Sequence, residues 1–257
     1  MSSTARAPLE LNQALPSTEP ATTNQNGSVF SLTRDLVSAE FELGSGLKFD
    51  TRLKMDGLDF LSRLPKGEIP VAFLDPQYRD LLDKMSYGNE GKTRGRARSN
   101  LQQMDANTIT KFIRAINIVL AESGHLFLWM DKFQLCTGFR DWLTGTRLDV
   151  VDMITWDKGR MGMGYRTRRQ SEYLIVLQKQ PRRAKGVWKI HNIRDVWPER
   201  VERGIHVHRK PVDLQARLIE AVSNPGDIVI DPAAGSFSVL EACQQQGRKF
   251  LGCDIEG

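Results

Sequence analysis

Three cysteines, Cys136, Cys243 and Cys253, occur in 257 residues and form no C-x-x-C pair. An odd, sparse count points to a reducing compartment and away from a disulfide or zinc framework. Cys243 and Cys253 lie in apolar stretches and read as buried small hydrophobes. His206 and His208 stand close together, but not at a spacing that selects a metal, so no metal site is expected. No apolar run approaches the ~20 residues needed to span a bilayer. The N-terminus lacks a charged-then-apolar secretory pattern. Together these absences predict a cytoplasmic protein. G-x-G-x-x-G and the P-loop Gly-Lys-Ser/Thr are also missing, which argues against NAD or ATP as ligand.

What is present is a large foldable body with a mildly basic surface. Hydrophobic residues make up 40% of the chain, and 36 Lys+Arg against 31 Asp+Glu give a formal charge of +5. That balance suits a polyanionic partner, although clustering matters more than the total. Residues 1–28 are rich in Ser, Thr, Pro, Asn and Gln, have no apolar period, and read as a disordered tail. Residues 29–257 read as one domain. Within 29–45 the apolar residues fit either a short helix or an arm packing on the body or a partner chain.

The periodicities alternate between strand and helix, as an α/β fold requires. Strand signals fall at 46–55, Val71–Leu74, His125–Met130, Leu148–Trp156, Glu172–Gln178, Asp227–Ile230 and Lys249–Cys253. Helix signals fall at Leu58–Leu64, Thr108–Ala121 (ended by Gly124), Lys132–Thr144, Val212–Val222 and Val239–Gln246. The strands at 148–156 and 172–178 are expected to pair as an antiparallel hairpin.

Two stretches carry chemistry. In Val71-Ala72-Phe73-Leu74-Asp75-Pro76-Gln77-Tyr78, four apolar residues read as a buried parallel strand. Pro76 stops the ladder, leaving Asp75 and Tyr78 at its carboxyl end, where open α/β sheets bind ligands. A carboxylate, a backbone carbonyl and a ring there suit an exocyclic amine and its base. Taken alone, Asp-Pro-x-Tyr is more often a simple turn. The second stretch, Asp231-Pro232-Ala233-Ala234-Gly235-Ser236-Phe237, joins a strand to a helix through small residues that let a ligand approach the backbone. Asp254 ends the following strand, where an acid suits a ribose diol. A nucleoside without pyrophosphate fits this pair best.

Basic segments form a third group. Lys92, Arg94, Arg96 and Arg98 lie in a long polar loop over 79–107, suited to following a phosphate backbone. Arg160, Arg166, Arg168 and Arg169 lie in a Gly/Arg-rich loop over 157–170. Arg182, Arg183 and Lys185 open a basic, aromatic-spotted stretch over 181–209 that suits nucleic acid and is expected to be a small target-recognition insertion.

Jointly these motifs resemble those of the amino-group DNA methyltransferases. Asp75-Pro76-Gln77-Tyr78 is similar to their D-P-P-Y segment, and Asp231 through Ser236 to D-P-F-x-G-S-G. Residues 54–61 are similar to G-D-C-L-E-L, residues 208–212 to Q-K-P-V/L, and residues 224–227 to N-P-G-D. The catalytic motif precedes the cofactor motif, the order of the β group, whose members are commonly adenine-N6 enzymes. The resemblance runs from about Leu47 to the C-terminus.

It implies a mostly parallel, seven-stranded, Rossmann-like α/β sheet with an antiparallel hairpin and a circularly permuted motif order. The cofactor would be S-adenosylmethionine. Asp231, Ala233, Gly235 and Ser236 would bind its methionine part, Asp254 its ribose and Asp56 its adenine amine, with Lys210, Pro211 and Asp75 beside its methionine end. Asp75 and the Pro76 carbonyl would accept hydrogen bonds from the target amine, and Tyr78 would stack on a base flipped from double-stranded DNA. Asp rather than Ser at 75 favours adenine N6 over cytosine N4. RNA and protein glutamine are less favoured, since the protein-directed relatives usually carry N-P-P-Y.

Two departures stand out: Gln77 replaces a proline, and Phe237 replaces a glycine. A DNA-binding protein without catalysis is the alternative these departures leave open. Relatives often form homodimers, and they usually continue past the ribose acid with a helix, so a C-terminally trimmed chain is expected.

Overall fold

Strand β2 (Ile69–Leu74), buried along its whole length, lies at the middle of an eight-stranded sheet. The computed structural model describes residues 46–76, 104–162, 166–200 and 209–257. The other strands are β1 (Leu53–Lys54), β3 (Leu120–Met130), β4 (Leu148–Asp157), β5 (Ser171–Lys179), β6 (Val196–Pro198), β7 (Ile228–Asp231) and β8 (Lys249–Asp254). Their spatial order is β1-β8-β7-β2-β3-β5-β4-β6. The first five run parallel to one another, and β5 runs antiparallel to both β3 and β4. This is the expected mostly parallel sheet with its hairpin. The count rises from seven to eight because the short β6, which no strand signal marked, hydrogen-bonds to β4 at one edge.

The period of two in β2 sends alternate residues into two different cores. Ala72 and Leu74 pack with Phe60, Ile113 and Trp142 on the face covered by α1 (Gly57–Ser62), α2 (Ala106–Val119) and a 3-10 turn (Arg140–Leu143). Val71 and Phe73 pack with Leu218, Ile219 and Phe237 on the face covered by α4 (Val212–Val222) and α5 (Ser238–Gln246). Both faces are therefore dry, as parallel strands require.

Several elements differ from the sequence reading, each for a local reason. The strand expected over 46–55 contracts to Leu53–Lys54. Asp50, at φ 56°, turns its carboxylate onto the Phe250 N–H (2.9 Å) and takes a bond the ladder would have used. The helix expected over 132–144 breaks at Gly138 (φ 98°) into α3 (Lys132–Thr137) and the 3-10 turn. Helix α2 ends at Val119, not at Gly124, and Leu120 passes straight into β3. Gly124 lies inside that strand, where a Cβ would come within 2.9 Å of the Ala121 carbonyl and 3.0 Å of the Pro70 carbonyl.

Register brings the two chemical stretches together. Ala72 pairs with Ile230, so the ends of β2 and β7 are neighbours. Ile230 pairs with Leu251 and Lys54 with Asp254, which lines up the ends of β7, β8 and β1. Glu199, just past β6, accepts hydrogen bonds from the Asp213 and Leu214 N–H groups at 3.1 and 2.9 Å and so caps α4, whose own N-cap Pro211 makes no side-chain bond. Among the described residues, no helix is long and apolar enough to cross a membrane.

Candidate active site

Four charged side chains alternate in sign beside the carboxyl ends of β2 and β3. The Lys210 ammonium lies 3.0 Å from Asp75 Oδ2 and 2.9 Å from Glu172 Oε2. The Lys158 ammonium bonds the other oxygen of Glu172. Strand parity explains the convergence. Phe73, Trp129, Leu174 and Trp156 all face the core under α4 and α5. Asp75, Glu172 and Lys158 stand two residues along from Phe73, Leu174 and Trp156, and so share that face. Lys210 arrives from the loop that opens α4. Two indole rings form the floor. Lys210 Nζ stands 5.2 Å from the Trp129 centroid and Lys158 Nζ 5.0 Å from that of Trp156. Both distances are within cation–π range. The rings themselves meet edge to face at 5.9 Å.

Burial and pairing set the protonation of these groups. Burial raises the pKa of Asp75 and Glu172 adds to the rise, while Lys210 and Lys158 offset it only in part. Burial would also raise Glu172, but Lys210 and Lys158 outweigh it and carry the group down to about 2. Burial disfavours the Lys210 cation, yet Asp75 and Glu172 together raise its pKa above the ordinary lysine value. The cluster is thus a run of compensated charges in which Asp75 takes a proton more easily than Glu172.

Beside it lies the small-residue turn after β7. Asp231 is buried and accepts the Ala233 N–H at 3.2 Å. Burial, with Asp75 and Asp254 adding to it, pushes this acid up to about 8. The Ala234 N–H bonds the Cys253 carbonyl at 2.9 Å, and the Gly235 N–H bonds Asp254 Oδ2 at 3.1 Å, so the turn is tied to the end of β8. A Cβ on Gly235 would meet nothing within 4 Å, which leaves open space above the turn for a ligand. Ser236 is half-buried in the same turn. Asp56 Oδ1 caps α1 through the Leu58 and Asp59 N–H groups, and the Met55 N–H bonds the Asp254 carbonyl, which fixes that acid beside the end of β8. Gly57 permits this closeness, since a Cβ there would lie 2.2 Å from the Pro232 carbonyl.

Phe237 adopts a left-handed backbone, a conformation that favours glycine. It sits at φ 57° and ψ 33° at the N-cap of α5, fully buried, against Phe250 and beneath the Arg52 guanidinium.

The expected site residues divide by position. Asp56, Asp75, Pro76, Lys210, Pro211, Asp231, Ala233, Gly235, Ser236 and Asp254 gather at one end of the sheet. Arg160, Arg166 and Arg168 are exposed in the β4–β5 connection at that same end, and Arg169 stands over the Phe133 ring. Arg182, Arg183 and Lys185 do not join them. They follow the far end of β5, roughly 27 Å of strand from Ser171, where Arg182 approaches Asp149 at 3.5 Å. Of the expected target-recognition insertion over 181–209, residues 181–200 and 209 are described. The stretch from 181 runs back along the sheet, with the Lys189 N–H on the Ala221 carbonyl, and only β6 returns to the site end. Tyr78, Gln77, Lys92, Arg94, Arg96 and Arg98 lie outside the described residues. Sequence reasoning did not single out Glu172, Trp129 or Lys158. Strand alternation gives the face each takes, but only register brings the charges together.

Replacing Phe237 with glycine tests the turn. Losing a buried phenyl ring costs ~3–5 kcal/mol, and relief of the left-handed backbone returns ~1–2 kcal/mol. Phe237→Gly should therefore lower the urea midpoint at unchanged m-value. A raised midpoint would show that backbone strain outweighs the packing.

Comparison with known proteins gives this geometry its context. The family model described as DNA methylase, N6_N4_Mtase, matches residues 74–257. The Type II methyltransferase M.HhaII of Haemophilus parahaemolyticus is 52% identical over 203 residues, covering 79% of this chain and 89% of that one. The DNA adenine methyltransferase YhdJ of Escherichia coli K12 is 44% identical over 70 residues, 27% of this chain and 23% of its own. The crystal structure of an M1.HpyAVI–SAM complex superposes with a TM-score of 0.56 at 16% identity, covering 79% of this chain and 92% of that one. The permuted order of the two strand-end acids and the match from the end of β2 onward lead to one conclusion: the chain belongs to the N6_N4_Mtase family of DNA methylases.

Proposed function

We propose that this methylase acts on N6 of an adenine flipped out of double-stranded DNA, with Asp75 and the Pro76 carbonyl as acceptors for the target amine. The observation that carries the reading is the placement of Asp75. It ends the central strand one register step from the small-residue turn after β7, so an amine held by Asp75 lies beside whatever that turn binds. The turn, Asp231, Asp254 and Asp56 suit S-adenosylmethionine, with open space above Gly235 and acids at the three neighbouring strand ends. That donor supplies an electrophilic methyl group on a sulfonium.

Asp75 contributes orientation and charge. Two acceptors on the amine hydrogens would direct the nitrogen lone pair outward and stabilise the positive charge growing on nitrogen as the N–C bond formed and the methyl–sulfur bond broke, the surplus amine proton then leaving to water. Asp75 does this only as a carboxylate, and the Lys210 ammonium opposes the effect of burial on it. The carboxylate at position 75, where serine is the commoner cytosine form, supports adenine. Acting on DNA, the enzyme is assigned to the cytoplasm of a bacterial or phage-infected cell.

Asp75→Asn should slow single-turnover methyl transfer by about 10²–10³-fold while DNA binding persists, and retained turnover would remove Asp75 from its role. Mapping modified bases by single-molecule sequencing, in cells lacking adenine methylation, identifies the target. N4-methylcytosine in place of N6-methyladenine would reassign the base.

DNA contact is assigned to the β4–β5 connection. Neutralising Arg160, Arg166 and Arg168 together should flatten the slope of log K against log salt by up to ~0.9 for each phosphate that an arginine had neutralised. Neutralising Arg182, Arg183 and Lys185 at the far end should leave the slope unchanged. Equal effects would refute this division.

A homodimer is supported by the outer edge of β4. Beyond its short pairing with β6 at 155–157, that edge carries the exposed side chains Val150, Val151 and Met153, and exposed strand edges readily recruit another strand. Sedimentation should give twice the chain mass, and Val151→Lys should shift the species toward monomer. A monomeric wild type would exclude the dimer.

A further inference from the structure

We propose that Glu172 is a positioning residue for methyl transfer: it holds the Lys210 ammonium at a fixed place beside Asp75, and so sets how strongly Asp75 accepts the target amine. The inference rests on the reading of Asp75 as the amine acceptor.

The geometry is that of a shared cation. Lys210 Nζ is almost equidistant from Asp75 Oδ2 and Glu172 Oε2, at 3.0 and 2.9 Å. Its side chain is only 13% exposed, against 26% for Asp75 and 28% for Glu172. The ammonium is therefore confined between two carboxylates above the Trp129 ring. Glu172 is itself held from its other side by Lys158, which rests on Trp156. In the register of β4 and β5, Glu172 pairs with Trp156, so the backbone ladder fixes the spacing of this outer half. The inner half is fixed by α4, whose capped first turn follows Lys210 closely.

Sharing matters because the target amine competes with Lys210 for Asp75. An ammonium bonded to Asp75 alone draws its negative charge and crowds it as an acceptor. An ammonium also bonded to Glu172 keeps Asp75 ionised while leaving part of its acceptor capacity for the amine. Glu172 further opposes ionisation of Asp75 through its own charge, and Lys158 favours it. The charged groups of the described elements that bear on Asp75 are Lys210 before α4, Glu172 on β5, Lys158 after β4 and Asp231 on β7. Glu172 is the member whose removal both frees Lys210 and cancels a negative charge.

The test is the pH dependence of single-turnover methyl transfer for wild type, Glu172→Gln, Glu172→Asp and Lys158→Gln, with Asp75→Asn as reference. The wild-type rate should fall on the acid side as Asp75 takes a proton. Glu172→Gln should move that acid limb about one pH unit lower and cut the plateau rate about tenfold. Lys158→Gln should move the limb the opposite way. Glu172→Asp should return the limb toward its wild-type position, since the charge is restored. Opposite displacements in the two neutral variants support the proposal, because a purely structural defect lowers the rate without moving the limb. An acid limb unmoved in both variants overturns it. If Glu172→Gln fails to fold, Glu172→Asp decides alone: a plateau rate equal to that of wild type, despite the shortened reach to Lys210, overturns the proposal. Failure of the underlying reading looks different: Asp75→Asn would then keep both the wild-type rate and its acid limb.

Discussion

One ammonium ties the two halves of the active face together. Lys210 comes from the loop that opens α4, Asp75 from the central parallel strand and Glu172 from the antiparallel hairpin, and their salt bridges are 3.0 and 2.9 Å long. Removing such groups from water is costly, with an effective penalty of several kcal/mol per ion. The arrangement is tolerable only because signs alternate from Asp75 through Lys210 and Glu172 to Lys158, and because two indole faces support the cations. The cluster is therefore better understood as a device that fixes charge and position than as a source of net stability.

The consequence is a division of labour between the two parts of the sheet. The parallel part, β1-β8-β7-β2-β3, aligns carboxyl ends and supplies the acids that suit a nucleoside-bearing donor. The antiparallel part turns round in a basic loop at the same end and sends Glu172 and Lys158 back toward Asp75. Asp231 is pushed up to about 8 chiefly by burial, with smaller contributions from Asp75 and Asp254.

The turn after β7 accommodates a bulky residue at a left-handed position. Phe237 adopts that backbone, and its ring is buried against Phe250 beneath Arg52. The strain of the conformation is offset by packing, and space stays open at Gly235.

The α/β class, the central strand ending at Asp75 and the small-residue turn after Asp231 were legible in the residues alone, whereas the permuted order was implied by the family resemblance and the adjacency of the two strand ends came from register. Those features are local: apolar runs, breakers and acids at fixed offsets define strand ends, and few topologies join them. Element boundaries were less legible where one side chain or one glycine settled the matter, as at Asp50 and Gly138. Which distant charges meet emerged from the folded arrangement. Glu172 reads as an ordinary strand start and Lys158 as one more basic loop residue, because strand register, not spacing along the chain, places them around Lys210. The same register separates two basic stretches that look alike in sequence. The β4–β5 connection lies at the active end, whereas Arg182, Arg183 and Lys185 sit a full strand length away, since an antiparallel strand carries the chain to the opposite end of the sheet.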